Sequence, residues 1–163
     1  MTKIYRQGAV GALLDEYERA ILDLQKIIED ISDQELTTVI DTKTTDLNCK
    51  SIQTILSHVV NSAYGYATYI LKLKGYNINR PGKSFHSTIK EYTQDLLDAW
   101  VFTTTVFKNI KDTELEQFDN SKKLITAWGQ VYDIEQMTEH AIVHILRHRR
   151  QIEKFKIALH EQK

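Results

Sequence analysis

The chain has 163 residues, 42% of them hydrophobic and 26% charged, which is enough to bury a core and fold as one compact domain over residues 1–163 without a second. Twenty-one basic against 22 acidic side chains leave a net charge of -1. There is therefore no broad cationic surface of the kind phosphate backbones demand, and nucleic acid is excluded as an expected partner. A lone cysteine, Cys49, rules out an intramolecular disulfide. With an N-terminus that shows no basic-then-apolar signal, it gives the expectation of a cytoplasmic location.

One proline and six glycines leave few breakers, so long helices are the default. Leu13, Tyr17, Ile21, Leu24, Ile28 and Ile31 recur at three- and four-residue spacing, which predicts a first helix over 8–31. A long connection follows over 32–50. The second helix is expected over 51–74, closed by Gly75 as a left-handed cap. Its stretch 51–71 has no formal charge, but Gln53, Ser57, His58, Asn61, Ser62 and Gly65 make it too polar for lipid, so no membrane partner is expected.

Residues 77–82 read as loop. The third helix opens at Thr88, with Glu91 completing a capping box, and runs through Leu96, Trp100, Thr103 and Phe107 to about 110. The connection 111–132 contains Trp128 and Gly129 amid polar residues and reads as a lid or short hairpin. The fourth helix opens at Asp133, with Gln136 three residues on and Tyr132 placed to staple onto Met137. Four amphipathic helices with no strands between them predict an all-α four-helix bundle with long inter-helix loops. Ile31, Asp33, Glu35 and Leu36 after the first helix are echoed by Ile110, Asp112, Glu114 and Leu115 after the third. The echo marks either a doubled helical hairpin or two ordinary helix exits.

The last helix carries the chemistry. His140, His144 and His148 stand at four-residue steps, so they are neighbours on successive turns. Ile134, Met137, Ala141, Ile145, Ile152, Phe155 and Leu159 define its apolar arc on a helical wheel. His148 lies near the centre of that arc, His144 within about 60° of it, and His140 at the margin, roughly 100° away. Two imidazoles therefore point inward, as a chelating pair or as hydrogen-bonded core residues. A reactive ion site commonly takes three side-chain ligands and keeps a position open, and neutral imidazole suits Zn, Ni, Cu or Fe. His58, flanking the apolar arc of the second helix, is the candidate third ligand. His86, in a loop, and His160, near the C-terminus, read as solvated. The absence of a His-Glu-x-x-His pattern removes support for peptidase chemistry.

The run from Ser51 to His58 and the His144-x-x-x-His148-Arg149-x-Gln151 signature resemble the DinB/YfiT-like superfamily of metal-binding four-helix bundles, over nearly the whole chain. The resemblance implies a divalent ion, Zn or Ni, on His58, His144 and His148. It also implies a small-molecule substrate and a low-molecular-weight thiol cosubstrate such as bacillithiol or mycothiol. Relatives commonly have a histidine and a glycine where this chain has Arg147 and Arg150.

The leading expectation is a metal-dependent S-transferase of the thiol type. The alternatives are a hydrolase using metal-activated water and a non-catalytic bundle that binds metal and a partner. Cys49 is not expected to be the nucleophile. Gln151 reads either as support for a ligand or as a surface residue. Tyr66, Tyr69 and Trp128 could line a pocket, with packing the favoured reading; Arg147 and Arg150 fall on the solvated face. A homodimer is the expected assembly.

Overall fold

The computed structural model describes residues 4–161. It is all-α in class, 66% helical with one small two-stranded sheet. In chain order the helices are α1 (Gly8–Ile28), α2 (Asp33–Thr37), α3 (Ile52–Leu73), α4 (Ile89–Phe107) and α5 (Ile134–Glu161). Between α4 and α5 lies the antiparallel pair β1 (Leu124–Ile125) and β2 (Val131–Tyr132), with Leu124 opposite Tyr132 and Ile125 opposite Val131. Among the described residues no helix is long and apolar enough to cross a membrane.

The apolar stripes decide the packing. α1 lies against α5 and α4, and α3 lies against α4 and α5, so the four long helices enclose a shared core. Leu24 and Ile28 of α1, Ile52 and Ile55 of α3, Tyr92 of α4 and Met137 and Ile152 of α5 are all fully buried in it. Each such leucine, isoleucine or methionine contributes about 1.5–3 kcal/mol. The surface ion pairs that also tie α1 and the turn after it to α5, Arg149 with Asp23 and Lys156 with Asp30, contribute well under that, typically 0–1 kcal/mol at exposed sites. Burial, not ion pairing, sets the arrangement.

Capping sets where the helices begin. Thr54 N–H donates to Ser51 Oγ at the start of α3, Glu91 N–H to Thr88 at the start of α4, and Gln136 N–H to Asp133 at the start of α5. Each places a side-chain acceptor on an orphan donor of the first turn. At the other end of α3, Gly75 has φ +83°, with Tyr76 N–H donating to the Leu71 carbonyl and Gly75 N–H to that of Lys72. That pair of bonds is a Schellman closure, which needs a left-handed residue.

α1 and α4 end three residues before their predicted ends, at Ile28 and Phe107, for one reason. The echoed segments start new helical turns of their own. Ser32 and Glu35 form a reciprocal capping box that opens α2, and Glu114 accepts the Lys111 N–H in the same way. Both copies then tuck their flanking residues into the core: Ile31 and Leu36 in one, Ile110 and Leu115 in the other. The shared sequence thus builds the same cap-and-anchor element twice.

The second copy has a further task. Gln7 offers α1 no side-chain cap, and Asp112 supplies one from across the fold, accepting from Ala9 N–H at 3.0 Å and Val10 N–H at 2.9 Å. A Cβ on Gly8, at φ +77°, would lie 2.3 Å from Asp112 Oδ2. Gly8→Ala is therefore expected to lower the melting temperature by about 3–6 °C through a left-handed alanine of roughly 1–2 kcal/mol plus displacement of the cap. In an Asp112→Ala background the same substitution should cost less, because the clash is gone. Equal losses in the two backgrounds, read by thermal denaturation, would show that the carboxylate plays no part.

Candidate metal centre

His58 sits on the second turn of α3, and His144 and His148 on successive turns of α5 near its middle. Packing of α5 on α3 brings the three rings together, with centroids 4.8 Å apart for His58 and His144, 5.0 Å for His58 and His148, and 4.5 Å for His144 and His148. The Nε2 atoms of His58 and His144 face each other at 2.9 Å. One ligand atom from each residue lies within 4.8 Å of the other two. Nitrogens bound to one tetrahedral ion at about 2.0–2.1 Å stand roughly 3.3 Å apart, a value that 2.9 and 4.8 Å bracket. The three histidines are therefore placed to hold a metal ion.

Electrostatics point the same way. Burial pushes the His144 imidazole down to about 2 and His58 down to about 4, with His148 adding to both shifts; burial lowers His148 as well. A metal ligand must offer an unprotonated nitrogen. Desolvation holds all three rings in that form. Gln151, one turn along α5, places Oε1 3.1 Å from His148 Nδ1. With Nδ1–H donating to that oxygen, the lone pair of Nε2 is left for an ion. Gln151 is thus engaged with His148 and is not a free surface residue.

A cavity of about 460 Å³ opens on one side of the cluster. Its outer wall is the α2–α3 connection, which sequence reasoning left without functional residues. Asp41, Thr44, Asp46 and Cys49 all line it. The connection is rigid because its carboxylates close local turns: Asp41 Oδ1 accepts from Lys43 and Thr44 N–H, and Asp46 Oδ1 from Asn48 N–H. The spacing of Asp41 and Asp46 before polar residues was the available signal for such turns. The Asn48 N–H is the chief cause holding the Asp46 carboxyl below the usual range. Cys49 Sγ lies 3.5 Å from Asp46 Oδ2, and burial pushes its thiol upward, so it stays protonated. Arg147, expected on the solvated face, is exposed but also lines this cavity, because the cavity mouth coincides with that edge of α5.

A second cavity, about 440 Å³, reaches His58 from the other side. Tyr66, Tyr69 and Trp128 line it together with His140; Tyr66 and Tyr69 also pack in or against the core, as expected, so for them the packing and pocket readings hold together. The hairpin completes the wall. Thr126 N–H and Oγ–H both donate to the Gln130 carbonyl, Gly129 takes φ +84° in the turn, and Ala127 N–H donates to Tyr69 Oη at 2.7 Å. This delivers the Trp128 indole onto His140, stacked at 5.6 Å and 25°. Tyr132 makes ring contacts with Trp128 and His140. His140 therefore belongs to the wall and stands outside the three-histidine cluster.

His160 is exposed, as expected. His86 is not: its Nε2 lies 2.6 Å from Asp95 Oδ2 and its N–H donates to Tyr92 Oη. The loop that carries it folds back on the first turns of α4, six and nine residues further along the chain, a contact that neither helical period nor capping signals. Compared with known proteins, the chain matches no protein-family model and no curated protein.

The lowered imidazoles give a measurable outcome. His58 and His144 should remain neutral at pH 5.5 in the metal-free chain, read from imidazole ¹⁵N shifts. Their folded values lie below the unfolded value near 6.5, so the unfolded chain binds more protons and stability falls as pH drops below about 6.5. His144→Gln should flatten that fall. Titration of both rings near 6.5 would contradict the desolvation argument.

Proposed function

We propose that the chain is a divalent-metal-dependent enzyme of the thiol S-transferase type on a DinB/YfiT-like four-helix bundle, with His58, His144 and His148 as the metal ligands. The observation that carries the reading is the convergence of three neutral imidazoles from two helices at a point reached by two cavities. A structural ion would call for a closed shell of four protein ligands. Among the described residues the cluster has three, which supports an open position.

A divalent ion held there supplies positive charge that favours the thiolate form of a low-molecular-weight thiol at neutral pH. The chain's own residues supply placement. Desolvation keeps the imidazole nitrogens available, and Gln151 orients His148. Cys49, held as a thiol, does not compete as a ligand. Two cavities let two reactants meet: the thiol sulfur bonds to an electrophilic carbon, its proton passes to solvent, and the leaving group departs with the old bonding pair.

Elemental analysis of the purified protein beside His148→Ala tests the site. About one ion per chain in the parent and little in the variant is expected, and equal, low occupancy in both would remove the reading. Gln151→Ala should keep the ion but raise its dissociation constant about 10–100-fold, as loss of a partner behind a ligand typically does. Chelating the metal away from protein held in free ion at 100 times the dissociation constant should remove about 2.7 kcal/mol of stability. Product analysis with an electrophile should give a thioether only when thiol is added. The same turnover with water alone would replace transfer by hydrolysis.

A further inference from the structure

We propose that the aromatic cavity between α3 and the β1–β2 hairpin binds a flat, conjugated molecule bearing a carboxylate, with Arg80 as the anchor for the charge. The assignment rests on the reading above in one respect, that the bound molecule reacts at the neighbouring histidines; its binding needs no ion.

The walls select for a planar group. Tyr66 and Tyr69 meet Trp128 edge-on, at 80° and 88°, while one face of the indole stacks on His140. Trp128 nevertheless stays 46% exposed, a large amount for an indole whose backbone is tied down through Ala127 and Tyr69. That exposed part of the indole is what a second flat partner would cover. Aromatic faces of this kind gain most from offset or edge contacts with another π system. At about 440 Å³ the cavity is of the size that takes small organic ligands.

The charge selects for an anion. Arg80 is the one charged residue lining the cavity. Its Nη1 donates to the Asn61 carbonyl at 2.6 Å and to Asn61 Oδ1 at 2.9 Å, which sets the plane of the guanidinium. Among the described residues no carboxylate pairs with it, and no hydrogen bond engages Nε or Nη2. A planar guanidinium with donors left over is suited to a carboxylate, which it binds through two parallel hydrogen bonds. Gly65 makes room: a Cβ there would lie 3.8 Å from Arg80 Cζ, so a longer side chain would push the guanidinium from the helix. The cavity on the far side of His58 has Asp41 and Asp46 beside Arg147 in its wall, two carboxylates against one guanidinium, and is the less favourable place for the same anion.

The test uses the two tryptophans, Trp100 and Trp128, as reporters. In ¹⁵N-labelled protein their indole N–H signals are assigned with Trp128→Phe and followed during titration with 2-naphthoate and, separately, neutral 2-naphthalenemethanol. Naphthoate should shift the Trp128 signal saturably and leave that of the core residue Trp100 in place. It should bind about tenfold tighter than the alcohol, and Arg80→Met should abolish that preference while the alcohol still binds. Gly65→Leu should weaken naphthoate in the same way, and Gly65→Ala should not. Equal binding of the two compounds, or naphthoate affinity unchanged in Arg80→Met, overturns the proposal. Running both titrations on zinc-loaded and chelator-treated protein separates the two readings. Arg80-dependent binding that persists without zinc supports the subsite even if the chain holds no ion, whereas zinc-dependent binding indifferent to Arg80 places the carboxylate on the ion and overturns the subsite alone.

Discussion

Desolvation of three imidazoles where α5 packs on α3 is the constraint around which the rest is arranged. A histidine left in water is half protonated near pH 6.5 and repels both a cation and its neighbours. Here His144 and His148 are buried and His58 half-buried, and the cost of charging His144 or His58 rises with the presence of His148. Three converging nitrogens in a low-dielectric place, each with its lone pair unprotonated, form a site whose obvious relief is a shared cation. That cost is tolerable because the surrounding core of isoleucine, leucine and methionine contributes far more than the histidines remove.

The connections are working parts of this arrangement. A minimal helical array would join its helices by short turns, but both long connections fold back over the ends of α3 and α5. The first is stiffened by Asp41 and Asp46 and walls one cavity with polar groups. The second forms a hairpin whose tip is pinned to Tyr69 and walls the other with aromatic rings. The histidines are thus flanked by two cavities of different character, one polar and thiol-bearing with Asp41, Asp46 and Arg147, one aromatic with Arg80.

The repeated cap-and-anchor element shows how a short sequence match acquires physical meaning. Ile31 with Leu36 and Ile110 with Leu115 are spaced alike because each pair buries against the core from a single helical turn. Where the copies differ, their tasks differ. Ser32 caps its own turn in one, whereas Asp112 in the other reaches across to the start of α1. The separation of 103 residues between Asp112 and Ala9 places that interaction beyond any local pattern.

Much of this was legible in the string of residues, and the division follows from the range of the forces involved. Helical class, the starts of the long helices at Ser51, Thr88 and Asp133, the glycine closure at Gly75 and the inward pair His144 and His148 all depend on residues within a turn or two of one another, where period and capping act. The ends of α1 and α4 were overrun because apolar spacing continues through Ile31 and Ile110 while the caps that break the helix lie just beyond. His58 came from its place beside an apolar arc, yet its meeting with the α5 pair is an event between helices. The roles of Cys49, Asp46, Arg80 and Trp128 were decided by tertiary structure alone. Arg80 and Trp128 sit in connections tied down by long-range hydrogen bonds, Asn61 with Arg80 and Tyr69 with Ala127, Asp46 and Cys49 in one shaped by local turns, and no periodicity in the chain records which cavity such a path will wall.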